Sequence, residues 1–574
     1  MASDPARSSR RCHNRPRRDK SAAERLGHRN RAMAIHMSTV VERLPPCVVF
    51  EDDDLLVVNK PPGWNTHAPA PFAGEGIHDW LKHREPRWAK LAIVHRLDKD
   101  TSGLMIFCKT PTANRSLTRQ FAQRQVIKRY VLVTDRPVAR DAFTCIKPLT
   151  RVGDRYQARP TGAAGDQAET RFHVRTREAG LTWLDAEPVT GRTHQIRVHA
   201  ASEGLPILGD PLYGGTPAPR LHLHSGRLEF QHPCGAELMR FTLEPDFTQT
   251  AAAQLRGAIV DSGWTNCFRW QNGSADATPG QYVDRLGAFL LLHAEREPAV
   301  AKLTSGNPWH LAEEPAPESI YFRQLQRHIG RAAPRDSCPR CLAGPIAPPT
   351  FEVRENGVRF ELSFQEGYST GLFLDQRDNR RRLLTSHVAA GFPLFTKSPS
   401  VPEMLNCFAY TCGFSVCAAL GGARTTSLDL SRKYLDWGRR NFTLNGLDSA
   451  AHDFIHGDVF DWSKRLAKKK RQFDLIVLDP PTFSRSREHG DFRAESNYAD
   501  LVTLVMPLLR SGGVLFASTN AARLAPERFL TQVRGAISAT GRRILQEHYV
   551  PQPPDFPISR EEPAYLKTVW LRLN

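Results

Sequence analysis

"VHRLDKDTSGLMIFCKT", residues 94–110, sets one carboxylate, Asp98, between Arg96 and Lys99, then turns through Asp100, Thr101, Ser102 and Gly103 into an apolar run. The run reads as a buried strand, and the polar segment before it as a loop that delivers Asp98 to the strand's start. Cations on either side of a carboxylate favour its ionised form, which suits a nucleophile or base rather than an acid.

Outward from this stretch the chain offers short apolar runs with turn punctuation: "CVVFEDDDLLVVNKPPG" from Cys47, then "RYVLVT", "LTWLDAEPV", "LHLHSGRLEF" and "RFTLEP". They predict a β-rich domain with few helices. Near residue 245 "TQTAAAQLRGAIVDSG" predicts a helix, and residues 300–350, rich in Pro, Ala and charge, read as linker and insertion. From about 351, "EMLNCFAY", "ARTTSLDLS", "FDLIVLDPP" and "GGVLFAST" alternate with helical stretches such as "RKYLDWGRRNFTLNG", the pattern of a doubly wound parallel sheet. The expected organisation is a basic tail (1–46), a β-rich domain (47–245), a linker with a small central domain (246–350) and an α/β domain (351–574).

The chain has 574 residues and a net charge of +18, a field that draws in polyanions and favours nucleic acid as partner. No apolar run approaches the roughly eighteen residues needed to span a bilayer. Eleven scattered cysteines fit a reducing compartment, so a cytoplasmic protein without a membrane partner is expected. Residues 1–36 carry ten Lys/Arg against three Asp/Glu and almost no apolar periodicity. They read as a disordered arm touching RNA phosphate, as sequence ahead of a true start at Met33 or Met37, or as a transit peptide.

The block "HRLDKDTSGL" resembles the catalytic motif of the RluA-type pseudouridine synthases. "LLVVNKPPGWNTHAP" (55–69), "FAQRQVIKRYVLV" (121–133) and "PVTGRTHQIRVHAASEGLPILGDPLYGG" (188–215) match in the same order, over roughly 48–245. The resemblance implies detachment of uracil from ribose and reattachment through carbon, with no cofactor or metal. It makes Asp98 the central catalyst and Arg197 its pairing arginine. Tyr130 packs against the base and takes or relays its proton, and Arg96 enters the RNA stack where the nucleotide is extruded. His95, His194 and His199, in strand and loop contexts, invite a metal reading that the resemblance does not need.

"MLNCFAYTCGFSVCAALGGA" (404–423) predicts strand, Gly-containing turn and helix, which aims backbone N–H groups at a nucleoside-type ligand. Asp429 ends the next strand, where an acid takes ribose hydroxyls, and Asp458 stands where another meets an adenine amine. With "LIVLDPPTFSRS" (475–486) and "ENGVRFELSFQEGYSTGLFLDQRDNRRRLL" (355–384), these stretches resemble the large-subunit rRNA methyltransferases of the RlmI/RlmK type. "CFRWQNGSADATPGQYVDRLGAFLLLHAE" (267–295) is similar to that group's small central domain. The resemblance implies S-adenosyl-L-methionine held by Phe408, Tyr410, Thr411, Gly413, Asp429, Asp458 and Asp479. It also implies a planar target gripped by Asp479, Pro480, Pro481 and Phe483. Cys412 stands where relatives often have Gly.

Methylation at cytosine C5 needs a cysteine nucleophile, and "DPPTFS" and "LFASTN" carry none; "DPPTFS" most resembles the guanine-N7 branch of these enzymes, and that resemblance implies guanine as the target. Cys338 and Cys341 in "CPRC" could form half a zinc site with His328 and His310 as the nearest further ligands, or two reduced thiols in a loop. The run Lys468–Arg471 reads as a solvated turn. The expectation is multidomain α+β and α/β: a β-rich pseudouridine synthase fold plus a doubly wound, Rossmann-like class I methyltransferase, acting on RNA, with large-subunit rRNA as substrate. The rival readings give the C-terminal half a non-catalytic RNA-binding role, or have it methylate tRNA or protein.

Overall fold

The computed structural model describes residues 43–574 apart from 236, 298–310, 312–314, 326–337, 368, 397–400 and 487–489. The basic arm, with Met33 and Met37, lies outside the described residues.

The first domain is built on a ten-stranded mixed sheet. Its main path runs Val48–Glu51, Leu55–Lys60, Ser102–Cys108, Leu223–Gln231, Ile127–Thr134, Leu181–Pro188, Glu169–Glu178 and Ala142–Ile146. Ser102–Cys108 is buried along its whole length, as its unbroken apolar text requires, whereas Leu181–Pro188 alternates buried and half-buried residues. Gly103 has no substitute: at φ +115° its missing Cβ would stand 2.4 Å from the Ser225 carbonyl oxygen of the neighbouring parallel strand. That close approach seats the Asp98 loop against the middle of the sheet.

A five-stranded sheet follows, in order Cys267–Asn272, Gln281–Leu286, Phe289–Ala294, Ser319–Gln324 and Arg340–Ala343. The last two strands fall in the region read as linker, because each apolar run there is too short and too flanked by Pro and charge to show as a strand by itself. Phe268, Trp270, Leu290 and Phe322 join one continuous core with Leu56, Trp80 and Leu132 of the first domain.

The C-terminal sheet runs Asp453–His456, Arg424–Asp429, Glu403–Cys407, Phe473–Leu478, Leu509–Thr519, Lys567–Leu573 and Ile544–Val550. The first five strands are parallel and the last two antiparallel to their neighbours. The order turns about Glu403–Cys407, and ligands of open α/β sheets bind beyond the carboxyl ends of strands at such a switch point.

The first and last domains meet along a buried seam. The helix Ile77–Arg84 faces the helix Arg377–Leu384; Arg381 donates to the Arg84 carbonyl at 2.8 Å and pairs with Glu85. The Ala390 N–H donates to His83 Nδ1 (3.2 Å), and Phe72 meets Tyr549 edge-on at 4.9 Å. Farther along, Asp555 joins three parts of the fold. It takes Arg377 in a two-pronged pair at 2.7 Å and the Arg269 N–H at 3.0 Å, and its carbonyl accepts from Arg256. No helix among the described residues is long and apolar enough to cross a membrane.

Candidate active sites

Asp98 lies in the loop before Ser102–Cys108, and three groups hold that loop from below. Thr66 Oγ1 donates to the Leu97 carbonyl (3.0 Å), and the Thr101 N–H donates to the Asp98 carbonyl (3.2 Å). Lys60 Nζ, fully buried, donates to the carbonyls of Pro61 (2.9 Å), Trp64 (2.8 Å) and Lys99 (2.9 Å). Burial draws the Lys60 ammonium down to about 7, with Asp100 and Asp98 opposing. Three acceptors nevertheless consume three N–H groups, a set that only the charged form supplies.

Arg197 reaches Asp98 at 4.0 Å (NH1 to Oδ2), while its Nε and NH2 clasp the two oxygens of Asp210 at 2.8 Å each. Asp210 has no exposed surface and also accepts the N–H groups of Leu212 and Tyr213. Arg197 is thus fixed by one carboxylate and presented to another, the arrangement in which a bidentate guanidinium gives orientation as well as charge. Tyr130 is buried, and burial followed by the Asp98 charge pushes its phenol well above the ordinary range, so at neutral pH it is a proton donor. Arg96 is exposed at the rim, its NH2 3.4 Å from Thr193 Oγ1.

The three histidines do not converge. His95 is half-buried and its Nε2 accepts the Ile106 N–H (3.1 Å), with desolvation pulling it down to about 3. His194 meets Tyr213 at 2.7 Å, and His199 bonds Thr170 and the Lys147 carbonyl. His199 sits on a helix, Gln195–Ser202, rather than in a strand or loop; "HQIRVHA" has strand-like alternation, but packing over the sheet overrides it. No group of three metal-ligating side chains gathers among the described residues. Cys338 Sγ takes the Gly367 N–H and Cys341 Sγ faces two carbonyls, while His310 and His328 lie outside the described residues.

The second site is a 530 Å³ cavity over the carboxyl ends of the parallel strands. Phe408, Tyr410, Thr411, Gly413, Asp429, Asp458, Asp479, Pro480 and Pro481 all line it. Phe483 stands outside this lining, half exposed, with the Arg493 guanidinium 5.4 Å from its ring centroid. The turn expected to rely on glycine is built otherwise. Phe408, Tyr410 and Cys412 all adopt positive φ (60°, 48° and 63°), and Cys412 caps the helix Gly413–Leu420 in the left-handed conformation. Strain of this kind persists where surrounding structure over-determines it, as at ligand clamps.

Asp429 accepts the N–H groups of Tyr410 and Ser431, both at 2.8 Å, and burial raises its carboxyl pKa. Asp458 caps the helix Val459–Lys468 through the Phe460 N–H (2.8 Å). Asp479 is half-buried at the cavity wall, and desolvation there pushes its carboxyl up to about 6, against hydrogen bonds from Ser518 and Gln376; Gln376 Nε2 stands 3.3 Å from each of its oxygens. Gln376, Ser518, Lys60 and Asp210 were not singled out from the sequence. No cysteine lines the cavity among the described residues.

Comparison with known proteins gives a family for each half of the chain. Residues 54–202 match the RNA pseudouridylate synthase family and residues 291–572 the S-adenosylmethionine-dependent methyltransferase family. A ribosomal RNA large subunit methyltransferase of Deinococcus radiodurans is 32% identical over 56% of this chain and 76% of its own length. Ribosomal RNA large subunit methyltransferase I of Klebsiella pneumoniae (strain 342) is 30% identical over 54% of this chain and 75% of its own. Among solved structures, human RNA pseudouridylate synthase domain containing 1 covers 36% of this chain and 84% of its own, at 25% identity and a TM-score of 0.30.

The family matches define an RNA-modification enzyme, with an isomerase domain ahead of a methyltransferase domain that uses S-adenosylmethionine. Within that class the chain belongs to the large-subunit ribosomal RNA methyltransferase family.

Proposed function

We propose that the chain converts a uridine to pseudouridine and methylates a guanine, both in large-subunit ribosomal RNA. The observation that carries the methylation half is the cavity itself: Asp429, Asp458 and the Asp479-Pro480-Pro481 corner converge on one space that no cysteine lines among the described residues. Its volume and its two strand- and loop-end acids suit S-adenosylmethionine, which supplies a methyl group on a sulfonium. Asp429 and Asp458 would hold the ribose and adenine ends. Asp479 and the two prolines would orient a planar acceptor in line with that methyl. Direct transfer to a ring nitrogen or amine needs no covalent adduct, whereas cytosine C5 does.

In the first domain Asp98 is the central catalyst, held by Arg197 and by the Lys60-braced loop. Tyr130, protonated and facing it, donates or relays a proton at the base, and Arg96 fills the stack left by the extruded nucleotide. This chemistry requires no cofactor.

The test is tritium release from 5-[³H]uridine-labelled ribosomal RNA alongside methyl transfer from labelled cofactor, both on the full chain. Asp98→Asn removes the nucleophile while keeping shape and should abolish only pseudouridine formation. Asp479→Ala should abolish only methylation. Each loss should be several orders of magnitude, with the other activity changed less than about tenfold. Pseudouridine formation surviving in Asp98→Asn, or methylation surviving in Asp479→Ala, overturns the corresponding assignment.

A further inference from the structure

The helix Arg377–Leu384 presents different faces to different domains. At its N-terminal cap, Gln376 donates to both oxygens of Asp479 and to Ser518 Oγ (2.9 Å), and Arg380 of the same helix lines the cavity. Across the seam, Trp80 of the isomerase domain donates its Nε1–H to Asp378 Oδ2 at 2.9 Å. Both residues are buried, at 3% and 7% exposure, so the bond is shielded from water. Asp378 is otherwise surrounded by Arg377, Arg84 and Arg382. The Trp80 indole is itself held, with the Arg84 guanidinium 4.6 Å from its ring centroid and Trp64 edge-on at 5.6 Å. Trp64 carries the carbonyl that takes Lys60 Nζ, and Lys60 reaches on to Lys99, next to Asp98. A contiguous chain of packed and hydrogen-bonded groups therefore joins the loop of one catalytic aspartate to the helix that holds the other.

We propose that Trp80, a residue of the isomerase domain, is a positioning residue for methyl transfer: through Asp378 it fixes the helix Arg377–Leu384, and with it the Gln376 amide on Asp479. The proposal rests on the reading of Asp479 as the group that orients the acceptor. The Gln376 contacts are long, so a small shift of the helix releases Asp479, and misplacement by about 1 Å costs up to roughly a hundredfold in rate. Asp429 and Asp458, which would hold the ribose and adenine ends of the cofactor, stand on other strands and loops, so that part of its binding is not exposed to the same shift.

The experiment uses the full chain with a large-subunit rRNA transcript. Trp80→Phe keeps an aromatic ring against Trp64 and removes the N–H together with part of the ring volume. Its kcat for methyl transfer should fall roughly tenfold, with the calorimetric Kd for S-adenosylmethionine and the rate of pseudouridine formation each within about twofold of wild type. Adding Trp80→Phe to Asp378→Ala should cost nothing further, since alanine already leaves the indole N–H without its acceptor. An unchanged kcat in Trp80→Phe, additive losses in the double variant, or an equal loss in both activities overturns the proposal. Asp479→Ala, run alongside, separates the two levels: full methyl transfer in that variant overturns the reading of Asp479 itself.

Discussion

Cys412 and Gly438 occupy one place between them: a Cβ on Gly438, in the helix Arg432–Leu444, would stand 2.3 Å from the Cys412 sulfur. Cys412 holds a left-handed conformation that favours glycine, and its side chain occupies the space that a side chain at 438 would need.

Gly438→Ala should therefore destabilise the protein by about 1–3 kcal/mol through overpacking. In a Cys412→Gly background the same change should be neutral or stabilising by up to about 1 kcal/mol, because the clash is gone and alanine favours the helix. Denaturant titration of the four proteins measures the coupling. Equal effects of Gly438→Ala in both backgrounds would refute it.

Acidity should act on methylation through Asp479, whose carboxyl sits at about 6 against an ordinary 3.8. Below about 6 the group is protonated, so it loses its charge and one acceptor oxygen becomes an O–H donor facing the target; kcat should fall towards acid pH on a limb near 6 that Asp479→Asn lacks. The sign for stability is the reverse. A raised pKa means that the folded state binds the proton more tightly, so the linked contribution is fully present below about 4 and lost as pH rises through 6. The Tm of wild type relative to Asp479→Asn should accordingly drop between pH 4.5 and 7; a pH-independent difference would exclude it.

RNA carrying 5-fluorocytidine should form no stable adduct. Cys407, Cys412 and Cys417 lie near the cavity in sequence, but all are buried within the fold, and burial pushes Cys407 and Cys412 up to about 12. A covalent band on a denaturing gel that disappears in Asp479→Ala would reverse the guanine assignment.

Asp210→Asn should lower pseudouridine formation by roughly a hundredfold while sparing methylation, because Arg197 then loses the carboxylate that aims it. Leaving a buried guanidinium without its charge partner costs about 3 kcal/mol or more, a Tm decrease of roughly 6–12 °C in a domain of this size. Calorimetry with tritium release reads both, and an unchanged rate would remove Asp210 from the site.

The sequence made Asp98, its loop and the strand after it legible because the cue is local: charge, turn residues and apolar run are contiguous in 94–110. The acids at 429, 458 and 479 were equally legible as ends of strands or loops. Asp210 and Gln376 were not, since each gains its role from a partner far along the chain, Arg197 in one case and Asp479 in the other. The strands Ser319–Gln324 and Arg340–Ala343 were hidden for a similar reason: pairing with Phe289–Ala294 and with each other, not their own composition, makes them strands. The turn at 408–412 shows the converse, a backbone path usually assigned to glycine being taken by Phe, Tyr and Cys once neighbouring elements dictate it.

The seam also bears on how such a gene can evolve. A fusion joined only by a tether can be undone by a break in the reading frame, each part surviving alone. Here fission would strand Arg381 without Glu85 and Asp378 without Trp80, leaving charges shaped for a partner facing open water or collapsing onto the wrong one. Selection then acts on the two enzymes as one heritable unit, and drift on either side of the seam is constrained by the other.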